Sequence, residues 1–122
     1  MTFRSEIRPR RGWVYMADLE PARGTEPGKV RPVLAIQTDL LNGIHPSTVV
    51  LPLTTNLVPD GVPLRVRLFK GEAGLSADSE ILVDQIRAID NRRFRRALGA
   101  APARCVAAME RSIAILLDLP GA

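Results

Sequence analysis

Short apolar runs, broken repeatedly by glycine and proline, are the feature that most limits how this chain folds. The runs occupy residues 12–19, 31–38, 48–55, 64–70 and 80–89. Only the last segment, after Pro102, changes to helical spacing, with an apolar face of Val106, Met109, Ile113, Leu116 and Leu117. The chain shows no βαβ alternation, which argues against a parallel sheet. The pattern predicts a small, strongly bent antiparallel sheet or barrel of five or six strands, packed on one C-terminal helix.

Several local patterns refine this prediction. Pro52 lies within the third run, and because proline has no N–H to donate, it predicts an edge strand or a bulge there. Residues 64–70 alternate apolar and basic side chains, as in a strand with one buried face. Residues 80–89 predict one or two strands, and residues 39–47 predict a short helix or a turn. The Arg-rich residues 1–10 are expected to form a tail or an extension of an edge strand.

Composition limits the class of protein. A length of 122 residues fits a single domain, here expected to span 1–122. No apolar stretch approaches the length of a membrane span, and the charged N-terminus does not resemble a secretory signal. The single cysteine, Cys105, fits a reducing cytoplasm and a small core residue. The net charge is +4, and fifteen of the seventeen basic residues are arginines, whose planar guanidinium groups suit phosphate recognition.

One arginine stands at a position that needs an explanation. In "GTEPGKVRPVLAIQ", residues 24–37, a turn containing Pro27 and Gly28 leads into a buried strand, and Arg31 lies where the two meet. The guanidinium group stays charged under ordinary conditions and is costly to bury. Arg31 is therefore expected to face either water or an anion.

Four segments together resemble the MazF/PemK (Kid-like) toxin family, the ribonuclease half of type II toxin–antitoxin pairs. They are "RRGWVYMADLEP", "GTEPGKVRPVLAIQ", "VVLPLTTN" and "ILVDQIRAIDNRRF", in the family's order. The resemblance implies an SH3-like, partly open antiparallel β-barrel of the CcdB/MazF/Kid type with a C-terminal helix, forming a homodimer. It also implies a cytoplasmic, metal-independent endoribonuclease that cuts single-stranded RNA at a short sequence. Such a toxin inhibits translation and growth and is neutralised by a cognate MazE-like antitoxin.

RNA cleavage without a metal proceeds by attack of the 2′-OH on the adjacent phosphate, giving 2′,3′-cyclic phosphate and 5′-OH ends. His45 is the only histidine, so a two-histidine mechanism is excluded, and one histidine with one cysteine does not match the usual ligand sets of a zinc site. The carboxylates that a two-metal nuclease would need show no ligand motif; the loose candidates are Asp18, Glu20, Asp78, Glu80 and Asp84. No cofactor is expected, and arginines and hydroxyls remain as the reactive groups.

The resemblance assigns two catalytic residues. The family's catalytic arginine falls on Arg31, which would hold the phosphate and stabilise the extra negative charge of the transition state. Whether it also acts as an acid or base stays open, because guanidinium pKa values lie above ~12. The family's catalytic threonine falls on Thr54. Successive strand residues face opposite ways, so Thr54 and Thr55 do not contact the same phosphate.

Further residues are expected to contact RNA. They are Thr25, Glu26, Gly28 and Lys29 in the glycine loop, Thr55 and Asn56 after the third strand, and Asp84, Gln85 and Arg87 in the "DQIR" block. Kid-like members carry a histidine in the loop where this chain has Thr25, and an arginine where it has Leu82. This difference favours the Arg/Thr arrangement and leaves Asp84 and Gln85 as base-contacting or structural. The basic run at 91–96 is expected to attract RNA phosphates or an acidic antitoxin segment.

Two alternatives remain open. A gyrase-binding toxin of the CcdB type would share the fold and cleave nothing, but its members resemble one another in a Trp-Gly-Ile ending, whereas this chain ends "DLPGA". A catalytically inactive RNA-binding relative is the second alternative, and the presence of both Arg31 and Thr54 argues against it.

Overall fold

The computed structural model describes residues 7–19, 24, 29–58 and 64–121. Within them the sheet contains seven strands, one more than the upper estimate from the sequence. The strands are β1 Trp13–Asp18, β2 Val30–Ala35, β3 Ser47–Thr54, β4 Arg65–Leu68, β5 Ser79–Leu82, β6 Arg87–Asp90 and β7 Phe94–Ala100. One helix, α1, spans Ala103–Leu116, and short 3₁₀ turns lie at Glu72–Gly74, Val83–Gln85 and Asn91–Arg93.

The sheet is antiparallel throughout, with the strand order β4-β5-β3-β2-β1-β7. The strand β3 has β2 along one edge and two partners along the other. Its first half, Ser47 to Val50, pairs with β6, and its end, Leu53 and Thr54, pairs with β5. The predicted antiparallel β fold with a C-terminal helix is therefore confirmed. In the described ranges, no helix has both the length and the apolar character needed to cross a bilayer.

Side chains alternate between two apolar clusters on opposite faces of the sheet. One face packs against α1 and includes Val14, Leu34 and Leu51. The other, called here the Tyr15 face, carries Tyr15, Ala17, Val33, Ala35, Val50, Ile89 and Phe94. The rings of Tyr15 and Phe94 meet edge to face with their centroids 5.3 Å apart.

The helix α1 docks by the predicted apolar face, with one exception. Met109 is fully buried, Cys105 is almost so, and Val106, Ile113 and Leu116 pack partly against the same cluster. The prediction for Leu117 is wrong, because α1 ends at Leu116 and the side chain of Leu117 is 51% exposed. Leu117 is the C-cap, where the chain leaves the helical path and no longer follows the apolar stripe.

The prediction that Pro52 marks an edge or bulge is also wrong, since Pro52 is buried in a strand with neighbours on both sides. The carbonyl of Val49 accepts a hydrogen bond from Ile36 N beyond the end of β2. Backbone groups alternate sides along a strand, so the nitrogen of Pro52 faces the β6/β5 edge. It falls between the Val50↔Arg87 and Leu53↔Ile81 pairs, where β3 changes partner. At that change of partner no N–H is needed.

Some of the remaining local predictions agree with the structure and others do not. Residues 39–47 form turns up to the start of β3, so the turn alternative is confirmed. Residues 80–89 give two strands joined by a 3₁₀ turn. The described part of the N-terminal extension, residues 7–10, is not in a strand. The strand β7 was not predicted, although it covers the whole outer edge of β1, from Trp13↔Ala100 to Ala17↔Phe94.

Candidate active site

The site begins where β2 and β3 stop pairing. The strand β2 pairs with β1 from Val30 to Leu34, but it pairs with β3 only from Ala35↔Val50 to Val33↔Pro52. Pro32 has no N–H, so it cannot donate the hydrogen bond that would carry the β2–β3 ladder further. Arg31 is therefore fixed by its pairing with Ala17 on the β1 side, and the ladder to β3 has ended on the other side.

Arg31 and Thr54 lie on the same face beyond this point. Moving two residues along each strand from Val33↔Pro52 leads to Arg31 on β2 and Thr54 on β3. Alternation places both on the Tyr15 face, and both are half-buried. Thr54 in turn stands opposite Glu80 of β5. One row across the sheet thus contains Ala17, Arg31, Thr54 and Glu80.

The hydroxyl of Thr54 is oriented by a local hydrogen bond. Thr54 Oγ1 accepts from the backbone N–H of Asn56 at 3.0 Å, a side-chain turn that fixes the threonine rotamer. Among the described residues no acceptor takes the hydroxyl proton of Thr54, so that proton can be donated to a bound phosphate. Thr55 and Asn56 are exposed and lie just beyond the end of β3.

The loop before β2 closes at Lys29. The carbonyl of Lys29 accepts a hydrogen bond from Leu19 N at 2.7 Å. Lys29 also adopts a φ of +63°, a left-handed conformation that costs a non-glycine residue energy. Lys29 is exposed and lies two residues from Arg31. Thr25, Glu26 and Gly28 lie outside the described residues. The conformation of Lys29 was missed from the sequence, because only a glycine would have signalled a positive φ there.

The "DQIR" residues belong to the turn after β5 and to the start of β6, which pairs with the first half of β3. Asp84 is exposed and Gln85 half-buried in the turn between β5 and β6, near the position where β3 changes partner. Arg87 is opposite Val50 on the Tyr15 face, about 14 Å from Thr54 at the usual rise along a strand. Its Nη1 is buried with no hydrogen-bond partner among the described residues. Arg87 therefore belongs to the same face as Arg31 and Thr54, whereas Asp84 and Gln85 do not join their row.

Glu80 is the residue of this row that sequence reasoning missed. It is 5% exposed and accepts hydrogen bonds from Arg65, Arg67 and the backbone N–H of Val58. Burial raises the pKa of the Glu80 carboxyl, and these hydrogen bonds outweigh it, so the pKa lies below its usual value. From the sequence, Glu80 was predicted only as one of the loose metal-ligand candidates. The alternation of arginines in "LRVRL" was the available signal, since it puts Arg65 and Arg67 on one face of β4.

The basic run at 91–96 is folded and largely paired. Arg95 and Asp18 form an ion pair at 3.2 Å, Arg92 and Asp90 form another at 2.8 Å, and Arg93 donates to the Asp18 carbonyl. The hydrogen bonds from the side chain and backbone of Arg92 lower the pKa of Asp90 to about 2. An open pocket of about 310 Å³ lies among these five side chains, at the β1 end of the site.

No metal-ligand cluster occurs in the described ranges: nowhere in them do three His, Cys, Asp or Glu side chains converge. Glu80, Asp84 and Asp18, three of the loose candidates, belong to the different environments described above. His45 is exposed in a turn.

Comparison with known proteins gives a consistent result. The family model for the "PemK-like, MazF-like toxin of type II toxin-antitoxin system" matches residues 10–117. Endoribonuclease MazF of Staphylococcus epidermidis is 42% identical over 89 residues, which is 73% of this chain and 74% of the relative.

Solved structures agree with the sequence comparison. MazF from Deinococcus radiodurans superposes with a TM-score of 0.79 at 28% identity, covering 93% of this chain and all of that one. The same toxin in its MazE–MazF complex gives a TM-score of 0.73 at 27% identity, covering 93% of this chain and 98% of that chain. By its sequence and by its fold, this chain belongs to the PemK-like, MazF-like toxins of type II toxin–antitoxin systems.

Proposed function

We propose that this chain is an endoribonuclease toxin that cuts single-stranded RNA without a metal ion. The supporting observation is the convergence of Arg31 and Thr54 from adjacent strands at the point where Pro32 ends their pairing. A cationic donor and a hydroxyl donor on one face suit a phosphate that becomes more negative in the transition state. The MazF relative of Staphylococcus epidermidis is named an endoribonuclease, which supports the same reaction class.

The two residues take different roles in this proposal. The guanidinium group of Arg31 holds the phosphate and stabilises the phosphorane electrostatically. Thr54 donates a hydrogen bond from its hydroxyl to a phosphate oxygen, while the hydrogen bond from Asn56 N–H holds that hydroxyl in place. The 2′-oxygen loses its proton to solvent as it bonds to the adjacent phosphorus, the bond from phosphorus to the 5′-oxygen breaks, and that oxygen takes a proton from solvent, giving 2′,3′-cyclic phosphate and 5′-OH ends.

Substrate contacts extend along the same face and its bordering loops. Lys29 and Arg87 supply positive charge on either side of the reacting phosphate, and Nη1 of Arg87, buried and without a hydrogen-bond partner in the described part of the chain, is suited to an anionic acceptor. Thr55, Asn56, Asp84 and Gln85 carry the side chains that contact bases, together with Thr25, Glu26 and Gly28 of the loop. Bases of a single strand are unstacked and can be read by such side chains.

The biological setting follows from the family. Residues 1–122 form one toxin domain that acts as a homodimer in the cytoplasm, where messenger RNA is its target. A cognate MazE-like antitoxin neutralises it, as suggested by the solved MazE–MazF complexes of the Deinococcus radiodurans relative.

Cleavage of a long single-stranded RNA in EDTA tests the proposal. Discrete cuts with cyclic-phosphate and 5′-OH ends are expected, and Arg31→Ala should lower the rate by roughly 10²–10³-fold or more. Arg111→Ala is the matched control, because it removes the same charge from an exposed position on α1. Absence of cleavage by the folded, antitoxin-free protein, or full activity of Arg31→Ala, would contradict the proposal.

A further inference from the structure

Glu80 is a buried carboxylate without an assigned role. Its side chain is 6% exposed, and it lies directly opposite Thr54 on the neighbouring strand. Arg65 Nη1 donates to one oxygen at 2.9 Å, and Arg67 donates to the other from Nη2 at 2.9 Å and from Nε at 3.2 Å. These three guanidinium donors lie on β4, the other neighbour of β5, and the backbone N–H of Val58, after β3, is the fourth donor.

Two hydrogen bonds, one accepted by Glu80 and one donated by Arg65, fix the chain that follows Thr54. The backbone N–H of Val58 donates to Glu80 Oε1 at 3.0 Å. Arg65 Nη1 also donates to the carbonyl of Asn56 at 2.9 Å, in addition to its bond to Glu80. Because Asn56 N–H is bonded to the Thr54 hydroxyl, the segment 54–58 is held through its backbone from both ends. We call Glu80 and Arg65, with these two backbone contacts, the Glu80 clamp.

The clamp leaves the side chains of the segment available. Thr55 and Asn56 are exposed. The hydrogen bonds that fix this stretch use backbone groups and none of the side-chain groups of these two residues. An irregular segment that is fixed by its backbone and presents polar side chains outward is suited to contact a ligand with a defined geometry. Arg67 differs from Arg65 in one respect: it pairs with Glu80 but makes no hydrogen bond to residues 54–58.

Stability alone is a poor explanation for a buried charge in this place. Desolvating a carboxylate and a guanidinium offsets much of their attraction, and apolar side chains of similar volume are often as stable. Fixed hydrogen bonds to a neighbouring loop are something that apolar side chains cannot provide.

We propose that the Glu80 clamp positions the segment 54–58 for cleavage, making Glu80 and Arg65 positioning residues that act through Thr54 and Asn56. The clamp sets the angle at which the Thr54 hydroxyl meets the scissile phosphate, and it fixes Thr55 and Asn56 against the neighbouring base. It therefore contributes to the choice of cleavage sequence as well as to the rate. The inference rests on the role proposed above for Thr54.

The pair Arg65→Gln and Arg67→Gln separates positioning from stability. Each change removes one positive charge and one partner of Glu80, and each leaves Glu80 bonded to the other arginine. Only Arg65→Gln also removes the contact to Asn56. Single-turnover cleavage at saturating RNA should slow roughly 10- to 100-fold in Arg65→Gln, with a smaller change in KM. The map of cleaved sequences should broaden as well. Arg67→Gln should stay within about twofold of the parent protein with an unchanged map.

Hydrogen exchange gives a readout that does not depend on activity. The amides of Asn56 and Val58 should exchange faster in Arg65→Gln than in Arg67→Gln, because only the former loosens the segment. Equal losses of activity in the two variants, following their losses of Tm, would overturn the inference. An unaltered cleavage map with unaltered exchange in Arg65→Gln would also overturn it. Failure of the proposed function is a separate result: it would appear as full activity in Thr54→Val or Arg31→Ala, whatever the exchange rates.

Discussion

Replacement of Thr54 by valine isolates the chemical contribution of one hydroxyl. Valine has nearly the same shape and suits a strand at least as well as threonine. The change removes the oxygen that accepts the hydrogen bond from Asn56 N–H at 3.0 Å. It also removes the hydrogen bond that we expect the hydroxyl to donate to the substrate phosphate. Thr54 is half-buried, and valine keeps its branched shape, so packing is preserved.

The expected loss of folding free energy and the expected rise in the activation free energy of cleavage differ enough to be measured separately. One hydrogen bond at a partly exposed turn contributes about 0.5–1.5 kcal/mol, and the better strand propensity of valine offsets part of the loss. The folded fraction therefore stays close to complete. Loss of one preorganised donor to a developing oxyanion typically costs about 3–4 kcal/mol, which corresponds to roughly 10²–10³-fold in rate. Thr54→Ser keeps the hydroxyl and should stay within about tenfold of the parent rate.

The assay is single-turnover cleavage of an RNA with one mapped site, at saturating protein and in EDTA. Thr38→Val serves as the matched control: Thr38 Oγ1 accepts from the N–H two residues later, Leu40 N at 3.2 Å, as Thr54 does. It removes the same kind of turn hydrogen bond far from the row of the site. Urea unfolding of all three variants tests that the fold is intact.

Two outcomes would refute this reasoning. If Thr54→Val cleaves at more than about a third of the parent rate, the hydroxyl does not address the reacting phosphate. If Thr38→Val loses as much activity as Thr54→Val, the loss reflects turn stability instead of chemistry.

Three further predictions concern stability. Met109→Ala should lower the free energy of unfolding by about 2–5 kcal/mol, because Met109 is fully buried where α1 packs against the sheet. Ile115→Ala, at an exposed position of the same helix, should cost far less, and equal urea midpoints for the two variants would contradict this docking. Asn91→Leu should cost about 2–4 kcal/mol, since it leaves the fully buried Thr48 hydroxyl without its acceptor at 2.6 Å; a near-parent thermal midpoint would count against it. Glu80 has a folded pKa below its unfolded value of about 4.3, so its stabilisation is complete above that pH and is lost as pH falls through the folded pKa. The stability difference between the parent protein and Glu80→Gln, measured by urea unfolding, should therefore shrink below about pH 4.3, and a difference that stays constant down to pH 2.5 would argue against this assignment.

Elements with a clear hydrophobic period were predictable from the sequence. The C-terminal helix and the buried strands β1 to β3 carry patterns that burial dictates directly. The strand β7 carries none: most of its residues are exposed, with arginines at 95 and 96. It forms a strand because β1 offers a free edge, a tertiary effect that outweighs local propensity. Pro52 was misjudged for a related reason, since one strand changing partners midway leaves no trace in its own sequence.

The candidate site was predictable by residue type and not by arrangement. The charge at Arg31, next to a proline and a turn, already indicated an anion-facing position. That Arg31 and Thr54 share a row depends on the β2–β3 register, which is set by the turn geometry between them and not by either strand alone. The alternating arginines at 65 and 67 indicated a shared basic face, but that Glu80 is the carboxylate they bury depends on the pairing of β4 with β5.

The β1–β7 pairing also bears on when a newly made chain becomes harmful. Arg31 is held by β1, and β1 is held on its other edge by residues 94–100. A ribosome adds about 5–20 residues per second, so the 69 positions from Arg31 to Ala100 take roughly 3–14 s to synthesise. During that interval β1 lacks its outer partner and α1 does not yet exist. Arg31 therefore reaches its final setting only after residues 94–100 have been made. Under the proposed function, a message cut before its final third would yield a chain that lacks β6, β7 and α1 and would cut no further messages.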